Sequence, residues 1–152
     1  RALGRISGGQ FNSSTGMVET IALLGEFAPL TPVETWRETH FGIPDNSGPG
    51  ADAADPDKDG IGNLTEFAFG LNPLRNSTGL LPVWEKSGSN YTMQFTQPSG
   101  VGQITYIAEQ SPSLQQESWT AIPNTAPAPN YSFSVSPAGK SRQFLRVRVT
   151  SP

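Results

Sequence analysis

Residues 55–66, DPDKDGIGNLTE, concentrate acidic side chains in a chain of which only 15% is charged. Asp55, Asp57 and Asp59 occupy alternate positions, so their short carboxylates converge in a curled loop. Glu66 follows at a distance from which its longer side chain can reach back. Two carboxylates roughly 4 Å apart repel each other by on the order of 4 kcal/mol at an effective dielectric of about 20. Because a divalent cation reverses the sign of this interaction, the segment predicts a metal site.

The spacing matches the twelve-residue EF-hand loop, in which calcium ligands come from positions 1, 3, 5, 7, 9 and 12. With Asp55 at position 1, Gly60 falls at position 6, where the loop turns sharply. Glu66 falls at position 12 and would bind through both carboxylate oxygens. The predicted ligands are Asp55, Asp57, Asp59, the carbonyl of Ile61, Asn63 and Glu66.

Three alternatives fit the acidic segment less well than calcium does. A solvated acidic loop needs no glycine, asparagine and glutamate at these positions. Magnesium keeps several water ligands in preference to an all-protein cage. A phosphotransferase with a DxD motif would place its aspartates at the end of a buried strand, whereas the preceding SGPGADAA is not strand-like. Calcium is therefore the predicted cofactor.

A short helix is predicted before the acidic loop. Thr31 can cap it, a proline suits its first turn, and Glu34 completes a capping box. This pattern predicts a helix over about Pro32–His40, with Val33 and Trp36 facing the core.

A second short helix is predicted directly after the loop. Asn63 is a suitable N-cap, and Asn72 followed by Pro73 would stop the helix. Its apolar residues recur at helical spacing and form one face: Leu64, Phe67, Ala68 and Leu71.

The rest of the chain changes to a period of two. Alternating apolar runs begin near Tyr91, Ile104, Tyr131 and Leu145, and turn-forming clusters such as PSGVG and SPAGKS separate them. Together with PVWEK and SWTAI, they predict about six strands and a small antiparallel β-sandwich.

Residues 5–27 predict two extended runs joined by the turn-forming NSSTG. A lone hairpin is marginally stable in water. We therefore expect it to pair with the later β unit or to end a preceding domain. The predicted division is 1–28 for the hairpin, 29–76 for the helix–loop–helix unit and 80–152 for the sandwich. Because the chain begins with Arg1, we expect it to be part of a longer protein.

DPDKDGIGNLTEFAFGLNP resembles the thrombospondin type 3-like and dockerin-like calcium-binding loops of secreted bacterial proteins. The longer frame, from TPVETWRETHFG through YIAEQSPSLQQESWTAI to FLRVRV, is similar to C-terminal regions of large extracellular proteins from Verrucomicrobia-type bacteria. This resemblance covers roughly residues 28–150 and implies the six ligands named above. It also implies a location outside the cell.

One departure from the EF-hand affects the expected role of the site. Position 8, where a branched apolar residue pairs with a second loop, is Gly62, and the chain has no second acidic loop. We therefore expect one structural calcium site and no cooperative switch. Asp52 has two options, either joining the ion through a water or capping a turn.

The remaining polar residues do not predict catalysis. His40, the one histidine, lies at a predicted helix end and suits a C-terminal cap. No GxSxG elbow marks a nucleophile. Glu109 and Glu117 could form a carboxylate pair, but nothing in the sequence places them together.

Aromatic residues on the predicted strands have two interpretations. They could line a sugar-binding face, but their alternation with apolar residues favours a place in the core: Trp84, Tyr91, Tyr106 and Trp119. Arg146 and Arg148 are interpreted as a solvated strand face.

Composition excludes several classes of protein. A net charge of −3 and a pI near 5.0 provide no basic face for nucleic acid. The chain has no cysteine and therefore no disulfide framework or thiolate metal site. No apolar run approaches the roughly 18 residues of a membrane span.

The sequence predicts a non-catalytic, calcium-stabilised C-terminal module of a secreted or cell-surface bacterial protein, acting in structure or attachment. Its expected partner is a protein or a glycan at the cell surface. One alternative is a carbohydrate-binding module of a polysaccharide-active enzyme, with calcium purely structural. Another is a subunit that self-associates by adding its N-terminal strands to a neighbouring copy.

Overall fold

The computed structural model describes residues 2–7, 15–20 and 28–152. Strands β1 (Ala2–Ser7) and β2 (Thr15–Thr20) pair in antiparallel register as a two-stranded sheet. This hairpin agrees with the predicted one, although its first strand begins before residue 5 and its second begins inside the expected turn. The rest of the predicted second run, residues 21–27, lies outside the described residues.

Helix α1 (Pro32–Phe41) begins with the predicted capping box. The Glu34 amide donates to the Thr31 hydroxyl at 3.3 Å, and the Thr31 amide donates to the Glu34 carboxylate at 2.7 Å. The helix ends at Gly42, which adopts a left-handed conformation with φ 76°. Local chemistry therefore determines both ends of this helix.

Helix α2 (Asn63–Phe69) begins with Gly62 as its N-cap, so the prediction that Asn63 caps it is wrong. Asn63 is the first helical residue, and its amide group donates to the carbonyls of Pro49 at 2.7 Å and Ala51 at 2.8 Å. These carbonyls belong to the loop before the acidic segment. The side chain that could have capped the helix is therefore used to anchor that loop.

The end of α2 also differs from the prediction. The helix stops at Phe69 because Gly70 adopts the left-handed conformation with φ 67°. The amide of Leu71 then donates to the carbonyl of Glu66 at 2.8 Å, which closes the last turn before Asn72 and Pro73 are reached.

The remaining residues form the six strands that the alternation predicts. They are β3 (Glu85–Ser87), β4 (Asn90–Thr96), β5 (Thr105–Ser111), β6 (Thr120–Ile122), β7 (Asn130–Val135) and β8 (Phe144–Thr150). Two antiparallel three-stranded sheets result, with strand orders β3-β4-β7 and β6-β5-β8.

The core lies between these two sheets. Side chains from β5 and β6 of one sheet meet side chains from β7 of the other: Ala108, Ile122, Phe133 and Val135. Ring contacts continue this core, with Tyr106 and Tyr131 centroids 4.8 Å apart. The protein is therefore mainly β, with a small antiparallel sandwich and two short helices.

The two helices pack onto one end of the sandwich. Phe67 and Ala68 of α2 share a buried cluster with Ile104 and Tyr106, and the Tyr106 hydroxyl donates to the carbonyl of Ala68. Trp36 packs against this cluster from α1, as predicted, and so does Val33. The helical segment and the sandwich thus share apolar contacts across the predicted boundary at residues 76–80.

Candidate metal centre

The three alternate aspartates of the acidic loop come together in space. Asp55, Asp57 and Asp59 each offer a carboxylate oxygen, and these oxygens all lie within 4.8 Å of one another. The backbone amide of Asp59 donates to Asp55 at 3.2 Å and to Asp57 at 3.1 Å, while the amide of Gly60 donates to Asp55 at 2.9 Å. The loop backbone therefore holds the carboxylates in one place despite their repulsion.

The turn that brings them together needs positive φ at two positions. Lys58 has φ 63° and Gly60 has φ 89°. A Cβ at Gly60 would meet no atom within 4 Å, so the turn requires glycine there for its backbone conformation and not for space. The prediction that Gly60 makes the sharp turn is confirmed.

Asp59 is held from both sides. The amide of Ile61 donates to its Oδ1 at 2.8 Å, and the amide of Ser77 donates to its Oδ2 at 2.5 Å. Ser77 lies beyond α2 and is buried. The segment after α2 therefore closes over the loop, a contact between residues 18 apart that no short-range spacing in the sequence indicates. The role of the Ile61 carbonyl as a ligand stays a prediction.

Glu66 is the unusual residue of this site. It is 0% exposed, and neither of its carboxylate oxygens has a hydrogen-bond partner among the residues that the structure describes. A buried carboxylate without a partner is strongly unfavourable, so buried polar atoms are almost always paired. To stay ionised in this place, Glu66 would need a positively charged partner, and without one it would hold a proton instead.

Two further buried oxygens share this property, again counting only the described part of the chain: Asp57 Oδ2 and Asn63 Oδ1. In Asn63 the amide nitrogen is fixed by two carbonyl acceptors, which leaves the amide oxygen as the free atom. Unpaired oxygens thus occur at three of the six predicted ligand residues, all within one short segment.

The crowding of negative charge alters the acidity of these groups. Burial raises the pKa of Glu66 to about 7, and the charges of Asp57 and Asp59 act in the same direction, while the side chain of Ser77 acts in the opposite direction. Burial also raises the pKa of Asp57, with the charge of Asp59 adding to it. Burial acts to raise the pKa of Asp55 too, but hydrogen bonds from Gly60 and neighbouring groups outweigh it, so the pKa of Asp55 lies below its ordinary value.

Asp52 does not turn its carboxylate to this cluster. Arg37, which is 5% exposed, donates to its Oδ1 at 2.5 Å, and Asn46 donates to its Oδ2 at 3.0 Å. The carbonyl of Asp52 accepts from the amide of Leu64 at 3.1 Å. Asp52 therefore links α1, the preceding turn and the start of α2. The ion pair between Arg37 and Asp52 joins residues 15 apart in the chain, and no pattern in the sequence predicts it.

Replacing Asp52 by Ala is expected to lower the free energy of unfolding by about 2–3 kcal/mol, because it leaves the Arg37 guanidinium buried without its anion. Calcium stoichiometry should stay unchanged, since the carboxylate is already occupied by Arg37 and Asn46. Urea denaturation and calcium titration of the variant check both statements. Asp45→Ala, which removes an exposed carboxylate from the same turn, is the matched control. Loss of calcium binding in Asp52→Ala alone would show that Asp52 is a ligand after all.

The other sequence candidates occupy separate places. His40 lies in the last turn of α1 with its ring 4.9 Å from that of Trp36. Glu109 accepts from Arg146 at 2.8 Å, while Glu117 is exposed in a short 3-10 helix after β5.

The interpretation of Arg146 and Arg148 as a merely solvated face is incomplete. Both are partly exposed, but their guanidinium groups lie 2.8 Å and 3.7 Å from the Glu109 carboxylate. Arg146 also stacks over the ring of Trp119 at 3.9 Å. Register explains the pairing, because β5 places Glu109 directly opposite Arg146 of β8.

Within residues 2–7, 15–20 and 28–152, no helix has the length and apolar character needed to cross a membrane. Comparison of the chain with protein families, with curated proteins and with solved structures finds no match. The geometry of the acidic loop is therefore the main guide to function.

Proposed function

We propose that the chain is a non-catalytic module whose fold is stabilised by one calcium ion bound within residues 55–66. The observation that carries this proposal is Glu66, a fully buried carboxylate whose two oxygens find no partner in the described residues. Beside it stands a cluster of three aspartates. A divalent cation is the partner that would satisfy all four carboxylates at once.

The chemistry of the donor set favours calcium over other cations. Every predicted donor is an oxygen, from four carboxylates, one amide and one backbone carbonyl. Calcium takes six to eight such ligands, whereas magnesium retains water and zinc prefers nitrogen and sulfur. Asp55, Asp57, Asp59, Asn63 and Glu66 would hold the ion through side chains, and Ile61 through its carbonyl.

Binding would stabilise the joint between the helical segment and the sandwich. Glu66 belongs to α2, the aspartates belong to the loop before it, and Asp59 is tied to Ser77 after it. On its other face, α2 contacts Tyr106 of the sandwich through Ala68. An ion at this loop would therefore fix α2, and with it the orientation of the sandwich.

A structural role of this kind suits a protein outside the cell. Calcium loops of extracellular modules have dissociation constants of about 10⁻⁴ to 10⁻³ M, a range in which cytosolic calcium would leave them empty. A secreted or cell-surface bacterial protein, in which this module serves structure or attachment, is therefore the context that we propose.

Calorimetric titration of chelator-treated protein tests the metal site. We expect one calcium ion per chain, with magnesium bound more weakly by at least about tenfold. Asp57→Asn should weaken calcium binding, because it removes one of the converging charges and leaves the backbone turn intact. Asp45→Asn removes an equal charge from an exposed position outside the loop and should change nothing. Absence of binding heat, or equal affinity in wild type and Asp57→Asn, would refute the proposal.

A further inference from the structure

A cleft separate from the acidic loop lies beside the β7–β8 connection. Its volume is about 350 Å³. Aromatic rings and long polar side chains line it together: Trp84, Tyr91, Lys140, Arg142 and Gln143. It combines flat apolar surface with hydrogen-bonding groups, which is the usual composition of a small-ligand site.

The two aromatic residues differ in how they are held. Trp84 packs partly against the sandwich core, so its ring has a fixed orientation. Tyr91 is 39% exposed, more than a core residue of β4 would be. Rings of this kind offer flat faces against which a pyranose can stack.

The polar side chains that line the cleft include two basic ones, Lys140 and Arg142. Lys140 donates to the neutral amide of Gln110 at 2.7 Å and makes no ion pair with any residue that the structure describes. Arg142 is exposed and makes no ion pair within the described part of the chain. Among the residues that the structure describes, no carboxylate lines the cleft. In a protein with net charge −3, this local excess of positive charge is complementary to an anionic ligand.

A second cleft of about 400 Å³ adjoins the first, because residues 140–143 line both. Hydroxyl and amide groups are frequent in its lining, among them Gln110, Ser118 and Thr120, and none of its described lining residues is a carboxylate. A ligand longer than one ring could therefore extend from the aromatic cleft across the loop and find hydrogen-bond partners for its hydroxyl groups.

We propose that these two clefts form a binding site for an acidic oligosaccharide. One sugar ring stacks on Trp84 and Tyr91, its anionic group pairs with Arg142 and Lys140, and the neighbouring sugar extends toward Ser118 and Thr120. The anionic group is a carboxylate or a sulfate ester. A neutral sugar would have no anionic group to pair with Arg142 and Lys140.

Titration with short oligosaccharides of defined charge tests this site, at fixed calcium concentration and with tryptophan fluorescence and calorimetry as readouts. The probes are tetragalacturonate, its fully methyl-esterified form, and a sulfated galactan tetrasaccharide. We expect saturable binding of at least one acidic probe, and binding of the methyl ester weaker by at least about fivefold, which corresponds to loss of one charge-assisted contact. Comparison of the carboxylated and sulfated probes identifies the anionic group.

Substitutions in the cleft test whether the oligosaccharide binds there. Tyr91→Ala and Arg142→Gln should each weaken the acidic probe by at least about fivefold, while both variants keep the near-ultraviolet dichroism of the folded protein. Arg75→Gln, which removes an equally exposed arginine outside the cleft, is the matched control and should bind as wild type. The proposal is overturned if neither acidic probe binds, if the methyl ester binds equally well, or if both cleft variants bind unchanged.

Discussion

Calcium is expected to raise the midpoint of thermal unfolding by roughly 5 to 10 °C when its free concentration is about 100-fold above its dissociation constant. A ligand that binds only the folded state contributes about 2.7 kcal/mol at this ratio. For a domain of about 150 residues, each kcal/mol shifts the midpoint by about 2–4 °C. Differential scanning calorimetry in chelator and in calcium measures the shift directly.

This effect should be large because three of the predicted ligands, the aspartate carboxylates, are already held together. The loop amides fix Asp55 and Asp57, and the Ser77 amide fixes Asp59. Little conformational entropy is then lost on binding, so most of the electrostatic gain reaches the measured stability. In chelator, the same prearrangement keeps three aspartate carboxylates close together, and their charges disfavour ionisation of Glu66, which lowers the starting stability.

Magnesium at equal concentration should shift the midpoint less, since it keeps several water ligands in preference to an all-protein cage. A variant with both Asp55→Asn and Asp57→Asn should melt at the same temperature in chelator and calcium. Identical midpoints for the wild-type protein in these two solutions would rule out a stabilising ion.

Local chemistry in the sequence was sufficient for much of the fold. The capping box at Thr31 and Glu34 determines α1 through contacts three residues apart, and period-two alternation identifies the six strands of the sandwich. The aspartate spacing placed Asp55, Asp57 and Asp59 together for the same reason, because a tight turn relates residues two apart. Each of these inferences depends only on neighbours along the chain.

Contacts between distant segments were not predictable in this way. Ser77 reaches Asp59 from beyond α2, and Arg37 reaches Asp52 from α1. Residue preference favours Asn63 as a helix cap, whereas carbonyls 12 and 14 residues away accept hydrogen bonds from the same side chain. Position in three dimensions, not residue preference, decided each of these cases.

Tertiary packing also explains why Glu66 is informative and the aspartates alone are not. The three aspartates are only partly buried, and a partly buried acidic loop can be solvated without any ion. The apolar face of α2 must pack against Ile104 and Tyr106, and this packing carries Glu66 into the interior with its charge. The sequence shows a glutamate at position 12, but only the packing of the helix shows that water does not reach it.

Glu66→Gln is expected to have opposite effects in the presence and absence of calcium. With calcium, it removes the one ligand predicted to bind through both oxygens, so affinity should fall by on the order of 100-fold. In chelator near pH 8, it should raise the free energy of unfolding by about 1–2 kcal/mol. A shift of the Glu66 pKa from 4.5 to about 7 corresponds to roughly 3 kcal/mol of unfavourable charge, part of which burial of the glutamine amide offsets.

The pH dependence of this gain has a definite sign. Because the folded protein holds the Glu66 proton more tightly than the unfolded chain does, the metal-free wild type loses stability as pH rises from 4.5 to about 7. Glu66→Gln lacks this titration, so its advantage should vanish near pH 5 and be complete near pH 8. Urea denaturation in chelator at both pH values measures it, and Glu117→Gln, an exposed glutamate, is the matched control. If Glu66→Gln is less stable than wild type in chelator at pH 8, the ionised Glu66 carboxylate is already stabilised without a metal. That result would contradict the proposed calcium site.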